Sequence, residues 1–330
     1  MSRSPAETTD RISPARRSRR PLLLTCAGVI AAACALTGMA EAESTTSLRV
    51  GYSVSGMPGV TSTDAQAAMR TYCGELARQL GDTNIVLHSN VALYDTFGAL
   101  TAAARDSEVH LLGMMPMEFE AMRGTVPYAP AFVGTRGGMP NRRFLVLVRR
   151  SAGIADMAHL SGREFLAGPL AIGCGALLWT ECKLLKVQER HLSQAFSSVS
   201  TTSTGSAAIL PVFFGQAKAC LVVEDSFRTA CELNPQLARD LVAVGTSPAL
   251  PVGPTIALSS SLSQYARQRV VEAGLIVHTL PRGKQVLTLL RIGRFTNFAE
   301  QQIAQLSMLR DLYREQTGEG LSQFIKHYHS

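Results

Sequence analysis

From residue 48 onward, short apolar runs alternate with longer amphipathic stretches, and the two periods, about 2 and about 3.6, mark strands and helices in turn. Residues 48–54 open the series as a strand. A Gly/Pro/Ser segment follows. Ala68, Met69, Tyr72, Leu76 and Leu80 then form one apolar stripe of a helix ending near 80, with Asp64 as its expected cap. Residues 84–88 predict the next strand, Asp95 a cap for a helix over 97–105, and 109–114 a short buried strand ending at Pro116. A β-branched run over 144–148 lies between arginine pairs.

A second series begins near 151. It predicts a helical turn over 156–160, strands over 169–172, 196–199, 219–223 and 241–245, and helices over 177–188, 207–214 and 227–233. After the proline-rich stretch 248–254 come a strand over 255–258 and helices over 262–273, 282–290 and 298–313. Strands alternating with helices predict an α/β fold with mostly parallel sheets. A chain of 330 residues accommodates one large or two medium domains. No internal repeat is present, and low complexity is confined to the Ser/Thr stretch near 197–206.

The first 42 residues differ from the rest. Arg16, Arg17, Arg19 and Arg20 precede an apolar run over 21–36, and Ala40-Glu41-Ala42 supplies a small-x-small cleavage site. This is the pattern of a secretory signal peptide over 1–42, cut after Ala42, which places the mature protein in the periplasm. The run is shorter than a typical membrane span. Residues 18–23 resemble a twin-arginine signal, and Cys34 after three alanines is an alternative lipid-anchor position. The net charge of +7 owes part of its excess to this leader. No later Lys/Arg block is interleaved with aromatics, so a nucleic-acid partner lacks its electrostatic footprint.

Five cysteines remain after the leader: Cys73, Cys174, Cys182, Cys220 and Cys231. An odd number in an oxidising compartment leaves a thiol free unless it pairs between chains. On one helix, Cys174 and Cys182 would stand about 12 Å apart, too far for a bridge. Cys220 with Cys231 is sterically feasible, and buried free thiols are an equal alternative.

Several segments then fall into a familiar order. Residues 48–51 open the mature chain, and 108–112 lead to Met115-Pro116. Residues 153–165, GIADMAHLSGREF, resemble a GI-x-SLADL-x-GK-x-F segment. Residues 207–209 lead to Gly215 and then to Val222-Val223-Glu224-Asp225, and 247–251, SPALP, resemble an SPP-x-P crossover. Together they resemble the phosphate/phosphite/phosphonate-type substrate-binding proteins of ABC transporters. The resemblance implies a type II periplasmic-binding-protein-like fold, with two Rossmann-like lobes joined by two crossover strands. Lobe 1 would hold 43–145 and 258–330, lobe 2 146–257, and the hinge crossovers would lie near 143–150 and 247–257. A ligand would sit between the lobes at strand C-terminal ends and helix N-termini.

The candidate ligand contacts are Ser53, Ser55, Tyr94, Asp95, Met115, Cys174, Gly175, Ala176, Thr204, Gly205, Ser206, Glu224 and Asp225. Cys174-Gly175-Ala176 stands where the family carries a hydroxyl run at a helix N-terminus, and Phe97 and Phe119 stand near family tyrosines. The lost hydroxyls favour a polar organic ligand with some apolar surface over phosphate itself. Asp95, Thr204 and Ser206 read equally well as helix caps, and Glu224 and Asp225 as a solvated strand end. The histidines are scattered, so no metal and no cofactor is expected.

The expected function is therefore capture of a small polar or anionic organic ligand by a monomeric protein that passes it to an ABC permease. A periplasmic sensor partnering a membrane histidine kinase is the alternative. A Cys174-dependent enzyme, its thiol pKa lowered at a helix start, and a purely structural envelope protein complete the range.

Overall fold

The computed structural model describes residues 45–57, 59–81 and 84–328. The expected leader over 1–42, with Cys34, lies outside them. Thirteen strands occur among the described residues: β1 (Thr46–Ser53), β2 (Ile85–Tyr94), β3 (Leu111–Met114), β4 (Tyr128–Gly134), β5 (Asn141–Arg142), β6 (Phe144–Arg149), β7 (Gly162–Ala167), β8 (Phe196–Thr201), β9 (Ala219–Val223), β10 (Leu241–Thr246), β11 (Leu250–Pro251), β12 (Thr255–Ser259) and β13 (Phe295–Asn297). They form a six-stranded sheet in the order β13-β4-β12-β3-β1-β2, a five-stranded sheet in the order β10-β6-β9-β7-β8, and the pair β11-β5.

Both large sheets are mixed, where mostly parallel sheets were expected. β1 runs parallel to β2 and β3, and β7 parallel to β8 and β9. β12 is antiparallel to β3 and β4, and β6 is antiparallel to β9 and β10. The reason is the path of the chain. It leaves the first sheet after β4, enters the second at β6, and returns at β12. A strand entering a sheet from the crossover side runs against the strands that end there.

The two connections, 135–143 and 247–254, are themselves paired. Leu250 lies opposite Arg142 and Pro251 opposite Asn141 in an antiparallel ladder. The first connection thus begins some residues before the expected 143–150, most of which belongs to β6.

Local chemistry explains the other departures. The helix Ser62–Leu80 is capped by Thr61, whose Oγ1 accepts from the Asp64 N–H at 3.1 Å and donates to Asp64 Oδ2 at 2.8 Å. Asp64 sits inside the first turn, where its charge favours the helix dipole. Thr96, not Asp95, caps the helix Phe97–Arg105. The strand expected over 169–172 is a turn, and the strand lies just before it, as β7. β7 is interior to its sheet, and Pro169 has no N–H to give to a ladder.

One apolar core takes residues from both lobes. Met115, Met117 and Phe119 belong to it from the first lobe and Leu177 and Trp179 from the second. Leu306, Leu309 and Phe324 join it from the helices Glu300–Thr317 and Leu321–Tyr328. These last two helices pack on the helix Pro116–Met122, and the first of them also on the helix Ala176–Gln188.

Candidate functional site

A crevice opens between the sheets where β1, β7 and β8 end, the position that open α/β sheets offer to ligands. Its larger chamber, 420 Å³, is lined by Val54, Ser55, Met57, Gly59 and Val60 from the first lobe. Gly168, Pro169, Ile172, Gly173, Thr201, Thr202 and Ser203 line it from the second, and Tyr328 from the last helix. A second chamber of 290 Å³ shares Gly168 and Pro169 with the first. It adds Arg136, Gly137 and Arg291 on one side and Thr204, Gly205, Val222, Val223 and Ser226 on the other.

Arg136 is the buried cation of that chamber, which Arg291 also lines. Arg136 is 9% exposed, and its Nε donates to Val252 O at 2.8 Å. Nη1 donates to the carbonyls of Leu290 and Arg291 at 3.2 Å, and Nη2 to that of Gly56 at 3.1 Å. Four of its five N–H donors are thereby used on main-chain oxygens. Among the described residues no carboxylate pairs with it, and burial holds its pKa below the ordinary arginine value. A buried cation without an anion is costly, and this one borders a cavity.

Facing it is the start of the helix Gly205–Phe213. Thr204 caps this helix through Oγ1, which accepts from Ala207 N–H at 3.1 Å. The N–H groups of Gly205 and Ser206 belong to the first turn, which has no intrahelical acceptor for them. Gly205 permits a close approach, since a Cβ there would lie 2.9 Å from Ser226 Cβ.

The first lobe's wall is braced from behind by a buried acid. Glu118, 2% exposed, accepts from Ser53 Oγ at 2.7 Å and from Met115 N–H at 2.8 Å. Ser53 in turn meets Ser55 at 2.8 Å. Burial raises the Glu118 pKa, and the Ser53 and Met115 hydrogen bonds oppose that rise.

The thirteen candidates fall into different places. Ser55 lines the larger chamber, and Thr204 and Gly205 line the smaller. Ser53 lies buried behind Ser55, and Ser206 follows Gly205 into the helix. Glu224 lies 3.3 Å from Arg143, and Asp225 is held by both Arg142 and Arg228, so these carboxylates are already paired. Tyr94 lies beside Arg49, His88 and Glu108 in a separate hollow, and Asp95 is exposed. Met115 is buried against Gly173, where a Cβ would lie 2.9 Å from its Cγ.

Cys174, Gly175 and Ala176 line neither chamber. The Gly175 N–H donates to Ile172 O at 2.9 Å, and a Cβ on Gly175 would lie 2.4 Å from Leu306 Cδ1. All three are buried, and Gly175 lies beneath Leu306 of the helix Glu300–Thr317. The expected lowering of the Cys174 pKa is reversed: the thiol is 0% exposed, and burial pushes it up to about 12. The observation that suggested a nucleophile there is gone. Cys73, Cys174, Cys182, Cys220 and Cys231 are all free. No group of His, Cys, Asp and Glu among the described residues is arranged to hold a metal ion.

Sequence reading missed Arg136, Gly168, Pro169, Thr202, Ser226, Arg291 and Tyr328. Only the hydroxyl run at 200–206 advertised itself, and its middle, 201–203, lines the larger chamber.

A family model described as the periplasmic substrate-binding protein of a phosphonate ABC transporter matches residues 57–303. No curated protein matches the chain. Among solved structures, XAC2383 from Xanthomonas citri bound to ATP is similar at a TM-score of 0.62 and 13% identity, covering 83% of this chain and 98% of that one. PhnD1 from Prochlorococcus marinus, in complex with methylphosphonate, is similar at 0.55 and 15%, covering 81% and 98%. A binding-protein component of an ABC phosphonate transporter from Pseudomonas aeruginosa is similar at 0.55 and 14%, covering 86% and 94%.

Proposed function

The chain belongs to the periplasmic substrate-binding proteins of phosphonate-type ABC transporters, and from that premise we propose that its crevice captures a small organic anion. The family is one of solute-binding proteins rather than enzymes, and its members deliver small-molecule ligands to ABC permeases. The observation that carries the anion reading is Arg136, a buried guanidinium answered only by carbonyls and bordering the smaller chamber. A ligand oxyanion there meets that positive potential, the first-turn N–H groups of Gly205 and Ser206, and the Ser226 side. The ligands of two similar folds, methylphosphonate and ATP, both carry phosphorus oxyanions, which favours the same reading.

The paired crossovers support a closing motion. A ligand touching Ser55 and Gly59 on one lobe and Thr202 and Gly205 on the other binds the closed form better than the open one, and so favours it. The leader at 1–42 exports the chain, which works as a monomer and hands its ligand to a permease. Among the described residues no helix is long and apolar enough to cross a membrane.

Isothermal titration with methylphosphonate, methanesulfonate and the uncharged ester dimethyl methylphosphonate tests the headgroup. One of the two anions binds at least about a hundredfold tighter than the ester. Equal affinity for the ester, or no binding of either anion, overturns the proposal.

A further inference from the structure

We propose that the C-terminal helix Leu321–Tyr328 is part of the ligand site, with Tyr328 the specificity-determining residue for the organic portion of the ligand. The helix lies beyond the span 57–303 that the family model matches. This inference rests on the organic-anion reading above and adds what lies at the other end of the ligand.

The helix is anchored on its inner face. Phe324 and Ile325 are buried in the core shared by the two lobes. Tyr328 packs its ring against Phe324, with centroids 4.8 Å apart. Its hydroxyl donates to Glu181 Oε2 at 3.3 Å, and Glu181 lines a separate polar hollow, not the larger chamber. Glu181 is itself fixed: it is 2% exposed, His191 Nδ1 stands 2.6 Å from its Oε1, and the Leu192 N–H donates to its Oε2 at 2.8 Å. The phenol oxygen is therefore occupied by Glu181, and Tyr328 gives the larger chamber its ring.

Val54, Met57 and Ile172 line the same chamber as that ring, alongside the hydroxyls of Thr201, Thr202 and Ser203. An oxyanion seated in the smaller chamber has no use for an apolar wall. A substituent carried on that oxyanion does, because covering apolar surface is favourable in proportion to its area. The shared edge at Gly168 and Pro169 lets one ligand reach both chambers. The class implied is an organic anion with an apolar substituent larger than methyl.

The test is isothermal titration of the wild type, Tyr328→Ala and Tyr328→Phe with methylphosphonate and phenylphosphonate. Wild type is expected to prefer phenylphosphonate by about tenfold or more. Tyr328→Ala is expected to cut that ratio by about fivefold or more, weakening phenylphosphonate more than methylphosphonate. Tyr328→Phe keeps the ratio, because the ring is the wall and Glu181 retains two other donors. A role confined to holding the fold would weaken both ligands together and leave the ratio unchanged, and that result overturns the proposal. So does a wild type that binds methylphosphonate without preferring the phenyl analogue, an outcome that leaves the anion reading standing. Failure of wild type to bind either phosphonate overturns this proposal, and the anion reading falls with it only if methanesulfonate also fails to bind.

Discussion

The crevice wall that follows β1 and the wall that follows β7 both begin where a parallel strand ends, but different forces hold them. Behind the first wall stand two buried ionisable side chains. The Glu118 carboxylate gathers Ser53 and the Met115 N–H, and the Arg136 guanidinium holds the Gly56 carbonyl. The second wall is closed by its own main chain. The N–H groups of Ala171, Cys174 and Gly175 donate to the carbonyls of Gly168, Leu170 and Ile172. Its outer side packs on Met115 and Leu306. One wall is set by buried ionisable groups and responds to protonation. The other is set by backbone conformation and packing and responds to added volume.

Two glycines, one in each wall, separate strain from packing. Gly59 in the first wall and Gly175 in the second have φ of +77° and +80°, so alanine is strained at both. Nothing lies within 4 Å of a Cβ at Gly59, whereas at Gly175 it would meet Leu306 Cδ1 at 2.4 Å. Gly175→Ala is expected to lose about 2–4 kcal/mol, the sum of strain and overpacking. Gly59→Ala is expected to lose about 1–2 kcal/mol, from strain alone. Urea denaturation of both variants measures the difference. Equal losses would mean that the second wall yields as easily as an open loop.

The next effect is smaller and depends on pH. Burial raises the Glu118 pKa in the folded state above its unfolded value. A raised acid binds its proton more tightly when folded, so the stability it contributes is fully present below the unfolded pKa of about 4.3 and is lost as pH rises through the folded pKa. Glu118→Gln removes this titration while keeping the shape, and the Ser53 hydroxyl can turn to accept from the new amide. Wild type is therefore expected to gain stability relative to Glu118→Gln as the pH falls from 7 toward 5. Denaturation midpoints of the two proteins across that range give the sign. A gap that narrows the other way would mean that the Ser53 and Met115 hydrogen bonds, not burial, dominate.

The same contrast explains what the sequence disclosed. β9, Ala219–Val223, matches its expected bounds because a central strand buried on both faces reads as one apolar run. β4 carries Pro130, and its pairing with β12 shifts register between Ile256 and Ala257, so no clean period marks it. The helix Leu321–Tyr328 is only eight residues long and follows Gly318 and Gly320, which read as the end of a fold. In the site, Thr204 and Gly205 were visible because hydroxyl and glycine at a helix start are a local signal. Arg136 was not, because its partners are the carbonyls of residues 56, 252, 290 and 291, and only the folded chain brings these together. The three residues at 174–176 sit where the resemblance put a binding loop. Pro169 and the two glycines that follow wind this segment into a turn whose end packs under Leu306 instead.

The smallest expected effect is an absence of reaction, and it tests whether the second wall stays shut. The Cys174 thiol lies inside that turn, fully buried, and its pKa of about 12 leaves it protonated at pH 8. Both access and the reactive thiolate are therefore missing. Cys231, on the outer helix Glu224–Leu233, is partly exposed. Brief iodoacetamide treatment of the folded protein at pH 8, read by peptide mass spectrometry, should label Cys231 and spare Cys174. The same treatment in urea should label both. Labelling of native Cys174 at the rate of Cys231 would show a turn that opens freely. The main-chain bonds from Ala171 to Gly175 would then not be what holds that wall, and the difference drawn between the two sides of the crevice would lose its basis.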